Sequence, residues 1–171
     1  MPVPSTGVTV TLRAMTEDEL EARIDDLVDE YALDLHRSRG LPLDRARTEA
    51  QRQTADLLPD GVATTGTLMF TAEAGGAAVG WIWLSLSTPH QPGSAWIYEI
   101  TVDAEHRGKG YGRALIRAAE DELARRGVTR LALNVFSHNT AAIRLYESVG
   151  FHTTSLQMAK SIGPAAEPAK W

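Results

Sequence analysis

The chain has no cysteine. Disulfides, thiol nucleophiles and cysteine-based metal sites are therefore excluded, and the absence fits a cytoplasmic protein. No apolar run reaches the roughly 18 residues a membrane span needs, and the N-terminus lacks a basic-then-apolar pattern. Membrane spanning and export are both disfavoured. Basic residues fall short of acidic ones, 17 Lys and Arg against 22 Asp and Glu, for a formal net charge of −5. That balance argues against nonspecific nucleic-acid binding, and Arg125, Arg126 and Arg130 read as a solvated helix end. No internal repeat is present. His36, His90 and His152 share no metal-ligand spacing, so no metal is predicted.

What is present suits one compact domain. The 171 residues, 43% hydrophobic and 23% charged, can bury a full core without a second domain. The reading places that domain over 8–162, with a short extension at 1–7. A Pro/Ala-rich tail at 163–171 is predicted to be poorly ordered.

The most informative stretch is Arg107-Gly108-Lys109-Gly110-Tyr111-Gly112. Before it, Trp96 to Val102 is β-branched and aromatic, and reads as a strand. After it, Leu115, Ile116, Ala119 and Leu123 recur at helical spacing, with Gly127 as a stop. A strand feeding a glycine turn that opens a helix makes a phosphate cradle. Glycines allow close approach of the backbone, and first-turn N–H groups and the helix dipole face the anion. Arg107, Lys109 and Arg113 add positive charge. The spacing does not fit a Rossmann fingerprint, whose third glycine comes one residue later. Nor does it fit a Walker A loop, because Gly110 follows Lys109 where Ser or Thr should hold magnesium.

A second block lies further on. Leu131, Leu133 and Val135 alternate with Ala132, Asn134 and Phe136 as a half-buried strand does. Ser137-His138-Asn139-Thr140 supplies helix N-cap residues. Ala142, Leu145, Tyr146 and Val149 then follow at helical spacing up to Gly150. The spacing Arg107-x-x-Gly110-x-Gly112, with Asn139-x-x-Ala142-x-x-Leu145-Tyr146-Glu147-x-x-Gly150-Phe151 behind it, resembles the paired motifs of the GCN5-related N-acetyltransferases.

The remaining elements fill in a coarse order. Val8 to Leu12 reads as a first strand. Leu20, Ile24, Leu27, Val28, Tyr31 and Leu35 mark one face of a helix from about 17 to 37. Pro42 starts a second helix, with Ala46, Ala50, Thr54 and Leu57 as its inner stripe. Thr67 to Glu73 and Ala77 to Ser87 form strands joined at Gly75-Gly76. Pro89 to Gly93 is a loop, and Phe151 to Ile162 reads as a last strand or strand pair. The order β-α-α-β-β-β-α-β-α-β matches the α/β fold of the acetyltransferase family, a mixed twisted sheet flanked by helices.

The resemblance implies an acetyl-CoA-dependent N-acetyltransferase, using acetyl-CoA as co-substrate and no metal. It implies that backbone groups of Ile100, Thr101 and Val102 meet the pantetheine arm. The turn of Arg107, Gly108, Lys109, Gly110, Tyr111, Gly112 and Arg113 would wrap the pyrophosphate, and Asn139 and Ala142 would line the cofactor. Tyr146 would point its hydroxyl at the cofactor sulfur to assist the leaving thiolate, although its helical spacing equally suits a core tyrosine. An alkyl amine with a pKa of about 10 must lose a proton before it attacks. Glu99, a carboxylate in an otherwise apolar and aromatic strand, is the candidate base, directly or through water. It equally suits binding of the acceptor's cation, or a carboxylate reaching solvent at the sheet edge. Some relatives carry the catalytic glutamate where this chain has Trp96 or Asn134, so those assignments do not transfer.

The acceptor is a small-molecule or peptide amine that no motif identifies, and a homodimer is compatible with the reading. The acidic helix face of Asp25, Asp26, Asp29 and Glu30 reads as solvated, with attraction of a cation as the alternative. His106 and His138 flank the two motifs. Trp81, Trp83, Trp96 and Tyr98 are read mainly as core, one or two of them as walls of the acceptor pocket. A non-catalytic acyl-CoA-binding module on the same fold is the competing function. A nucleotide-dependent oxidoreductase is opposed by the glycine spacing.

Overall fold

The computed structural model describes residues 7–86, 93–160 and 162. Five strands form one sheet in sequence order: β1 (Thr11–Ala14), β2 (Thr67–Ala74), β3 (Ala77–Ser85), β4 (Ser94–Val102) and β5 (Arg130–Leu133). The first four are antiparallel neighbours, and β4 and β5 run parallel. Among the described residues four α-helices accompany them, α1 (Glu17–Arg39), α2 (Leu43–Leu57), α3 (Tyr111–Arg125) and α4 (Thr140–Ser148). The mixed sheet and its helices match the expected fold class.

The helices start and stop where the sequence directs. Thr16 caps α1 through a reciprocal capping box with Glu19, and Gly40 ends the helix in the left-handed conformation. Arg13 on β1 bonds both Glu19 and Glu73, tying the first strand, the first helix and β2 together.

Alternation along β3 divides the core. Ile82 and Leu84 join Ala95, Ile97, Leu115, Ala119 and Leu123 in a cluster between the sheet and α3. Trp81 and Trp83 join Leu20, Leu27 and Met69 in a cluster beneath α1. With both faces of β3 covered, its residues from Val79 to Ser85 are all buried. A third cluster, Val28, Ala32, Leu35, Ala46 and Ala50, joins α1 to α2.

Three expectations need correction. The first strand covers Thr11–Ala14 rather than Val8 to Leu12. Leu57 at the end of α2 is exposed, so the inner stripe stops at Thr54. No strand forms among the described residues between Phe151 and Ile162. Phe151 packs against the α3-side core, but Leu156, Met158 and Ile162 stand exposed, because no neighbouring strand pairs with that segment. The Pro89 to Gly93 loop lies outside the described residues except for Gly93, as do the tail at 163–171 and all but the last residue of the 1–7 extension.

Candidate active site

The site opens where two parallel strands stop pairing. The ladder between β4 and β5 runs from Ser94 opposite Arg130 to Ile97 opposite Leu133. Beyond it, Tyr98–Val102 of β4 and Asn134–Phe136 after β5 both line one cleft of about 1060 Å³. The expected strand over 131–136 therefore ends at Leu133, because the chain leaves the sheet to form the wall of the cleft. A β-bulge accompanies the parting. Trp83 faces Glu99 and Leu84 faces Ile97, so Tyr98 is the extra residue on β4. A bulge of this kind bends its strand and releases backbone groups from the ladder.

The glycine turn lies at the C-terminal end of β4. Arg107 Nε donates to the Val102 carbonyl at 2.9 Å, folding the turn back onto its strand. Gly110 is the N-cap of α3 with φ of 89°, and no side chain caps that helix. Its first-turn N–H groups are thus left for an anion. Arg107, Gly108, Gly110, Tyr111, Gly112 and Arg113 all line the cleft. Lys109 does not; its Nζ donates to the Glu105 carbonyl at 2.8 Å.

Gly112 has a second duty that the sequence did not announce. A Cβ there would lie 2.9 Å from Leu145 Cδ2, so the missing side chain lets α4 approach α3. Arg113 Nη2 donates to Ser148 Oγ at 3.1 Å across the same junction. Asn139 caps α4, its Oδ1 accepting from the Ala142 N–H at 3.2 Å. Asn139, Ala142, Leu145 and Tyr146 then line the cleft opposite the turn's own residues in sequence.

Glu99 and Tyr146 both line this space. Thr101 Oγ1 donates to Glu99 Oε1 at 2.7 Å, both side chains projecting from the same face of β4. Burial raises the Glu99 pKa from its ordinary 4.5, the Thr101 hydrogen bond opposes that rise, and the nearby charges of Glu30 and Asp34 add to it. The Tyr146 hydroxyl is raised to about 12, first by burial and then by the charge of Glu99. Tyr146 also packs against Phe151, ring centroids 5.6 Å apart.

The rest of the cleft comes from the first two helices. Glu30, Tyr31 and Asp34 of α1 and Gln53, Thr54 and Leu57 of α2 line it with Trp83, Trp96 and Tyr98. Trp83 and Tyr98 pack with ring centroids 4.7 Å apart. Tyr31 donates to Gln53 Oε1 at 2.6 Å. His138 Nε2 bonds Asp34 Oδ1 at 2.7 Å, joining the loop before α4 to α1. His106 lines the cleft edge-on to Tyr111, at 5.5 Å. A smaller cavity of about 160 Å³ shares Glu30, Glu99, Thr101 and Arg107, and reaches the Arg23–Asp103 ion pair. Sequence reasoning missed Asp34, Gln53 and the bulge at Tyr98, which depend on contacts between segments far apart in the chain. Among the described residues no group of His, Asp and Glu is arranged to hold a metal ion.

Comparison with known proteins agrees with this architecture. Residues 24–151 match the acetyltransferase (GNAT) family. YycN of Bacillus subtilis, an uncharacterized N-acetyltransferase, is 29% identical over 157 residues, 91% of this chain and all of that one. Its crystal structure superposes with a TM-score of 0.86 over the same share of both chains. A shorter stretch of 63 residues is 44% identical to the ribosomal protein bS18-alanine N-acetyltransferase of Escherichia coli, covering 37% of this chain and 43% of that enzyme. A likeness of fold, with a TM-score of 0.57 at 19% identity over 91% of this chain and 99% of the other, extends to AAC(6')-Iy, solved with the bisubstrate analog CoA-S-monomethyl-acetylneamine. The glycine turn on α3, the parted strands and the capped tyrosine helix belong to a chain of the GNAT acetyltransferase family.

Proposed function

We propose that this protein transfers an acetyl group from acetyl-CoA to a primary amine by direct attack on the thioester. The observation that carries the reading is the convergence of three separated segments on one cleft: the end of β4, the α3 turn and α4. An uncapped helix N-terminus with Arg107 and Arg113 beside it suits a pyrophosphate. The gap between β4 and the chain after β5 suits an extended pantetheine arm, laid along the side of β4 that has lost its partner strand.

In this reading Glu99 accepts a proton from the acceptor amine, directly or through water. Burial raises its pKa above the ordinary 4.5, which makes it a stronger base than a solvated carboxylate. A backbone N–H released at the Tyr98 bulge is the candidate donor to the developing oxyanion. Tyr146 faces the leaving sulfur. With its pKa at about 12 it keeps its proton at neutral pH, and giving it outright to a thiolate of pKa about 8.5 is uphill by ~5 kcal/mol. Tyr146 therefore hydrogen-bonds the departing thiolate rather than losing its proton to it. Proton uptake at Glu99 removes the charge that adds to the effect of burial on Tyr146, which strengthens the hydroxyl as a donor once the amine has been deprotonated.

The test is release of CoA thiol on mixing the protein with acetyl-CoA and a panel of amines, with acetylated product identified by mass. Acetyl-CoA binding without thiol release across the panel would replace this reading by a non-catalytic acyl-CoA-binding module.

A further inference from the structure

The charges of the cleft are unevenly placed, with Arg107 also bordering the small cavity that Glu30 and Glu99 share. Arg107 and Arg113 are the Lys or Arg side chains lining the cleft among the described residues, and both belong to the α3 turn. The end beneath α1 carries Glu30, Asp34 and Glu99. The single cation beside the adjoining cavity away from that turn, Arg23, is held by Asp103 at 3.0 Å. Of the acids expected to form a solvated helix face, Asp29 is paired with Arg47, and Glu30, itself exposed, borders the cleft.

Tyr31, Trp83, Trp96 and Tyr98 also crowd this end, and aromatic faces beside carboxylates are the surroundings that attract ammonium groups. Meanwhile the charges acting on buried Glu99 from Glu30 and Asp34 are of its own sign. A cationic ligand relieves that repulsion, and an anionic one worsens it.

We propose that the acceptor is an alkylammonium compound with a second positive charge, its reacting amine at Glu99 and its second cation at Glu30 and Asp34. Glu30 and Asp34 stand four residues apart on α1, about 6 Å along its axis, so they form one continuous acidic edge beyond Glu99. His138 bonds one oxygen of Asp34, which leaves Glu30 as the principal contact for the second cation. An acceptor with a carboxylate near its amine is disfavoured. This inference rests on the acetyl-transfer reading of the same cleft.

Three amines of one chain length separate the possibilities: 1,4-diaminobutane, 4-amino-1-butanol and 4-aminobutanoate. The expected order of kcat/KM is diamine, amino alcohol, amino acid. At least tenfold should separate the first two, expressed in KM and narrowing as ionic strength rises. In Glu30→Gln the ratio of diamine to amino alcohol should fall several-fold; the residue is exposed on α1, so the fold tolerates the change. Turnover with the amino alcohol equal to or above the diamine overturns the inference and leaves acetyl transfer standing. If none of the three releases CoA, titration calorimetry of 1,4-diaminobutane into acetyl-CoA-saturated protein decides. Binding that weakens in Glu30→Gln upholds the cation site and removes the transfer reading, while absence of binding overturns the inference.

Discussion

The two halves of β4 are built from similar residues and have different fates. From Ser94 to Ile97 the strand has a partner on each side, and its residues are buried or nearly so. From Tyr98 to Val102 it keeps β3 but loses β5, and every residue there lines the cleft. Glu99 aside, composition does not separate the halves, since Trp, Ile and Ala in one answer to Tyr, Ile and Val in the other. Pairing does. A fold that closes its sheet completely has no place for a substrate, and one that opens it too early has no core.

The core packed against the closed half should respond to substitution through stability alone. Leu84 is fully buried beside Ile82, Ile97 and Leu115. Leu84→Ala is expected to lose about 2–5 kcal/mol. For a domain of this size the melting temperature should drop roughly 2–4 °C for each kcal/mol. Acetyl-CoA affinity measured well below the transition should hold. A large loss of affinity with little change in melting would erase the distinction between the halves.

The open half should respond in the reverse manner. Gly110→Asp places a carboxylate at the uncapped start of α3, at a φ of 89° that side chains rarely adopt. Acetyl-CoA binding is expected to weaken about 100-fold or more by calorimetry. Gly110 is the cleaner probe than Gly112, whose substitution also pushes against Leu145. Tyr146→Phe keeps the ring and its packing on Phe151, so affinity and melting should change little. Turnover should fall roughly 10²-fold if the hydroxyl assists the leaving thiolate. Unchanged turnover would return Tyr146 to the core.

Glu99→Gln should separate function from stability within one residue. A carboxylate whose pKa is raised on folding binds more protons in the native state, so its presence lowers stability as pH rises above 4.5. The Gln variant is thus expected to melt higher than the parent at neutral pH, with the gap closing below pH 4.5. Its kcat/KM at neutral pH should fall, and recover in part at high pH, where free amine is plentiful. A loss confined to KM would make Glu99 an acceptor-binding group instead of a base.

Much of this comparison is legible in the sequence. The glycine turn and the Asn139 to Phe151 block announced themselves because their chemistry is local: caps, stops and helical spacing within a dozen residues. The strand at 131–136 was overextended for an instructive reason. Its alternation is real, but Leu133 is the last residue with a partner, and the remainder was selected to line a cavity. Lys109 looked like a phosphate ligand and instead reaches back to Glu105. Asp34 and Gln53 gave no signal, since each matters only once α1 and α2 lie over the cleft. The acidic face of α1 likewise could not be divided into solvated and cleft-bordering residues until Arg47 took Asp29.

The finest test concerns the hydrogen bond between Thr101 and Glu99. Thr101 Oγ1 lies 2.7 Å from Glu99 Oε1 and favours the ionised carboxylate, opposing the rise that burial imposes. Thr101→Val keeps the shape and removes the donor. The Glu99 pKa should then move further up, and the rising limb of log kcat/KM against pH should move the same way. At neutral pH the rate should fall several-fold; at high pH, where Glu99 is ionised in both proteins, the two should converge. Thr101→Ser restores the donor and should restore the profile. Carboxyl carbon NMR of the protein without acceptor reads the same pKa without turnover, so it separates a failed base assignment from a failed hydrogen bond. A profile and a carboxyl titration unmoved in Thr101→Val would reduce the pair to packing. The open half of β4 would then owe its chemistry to position alone.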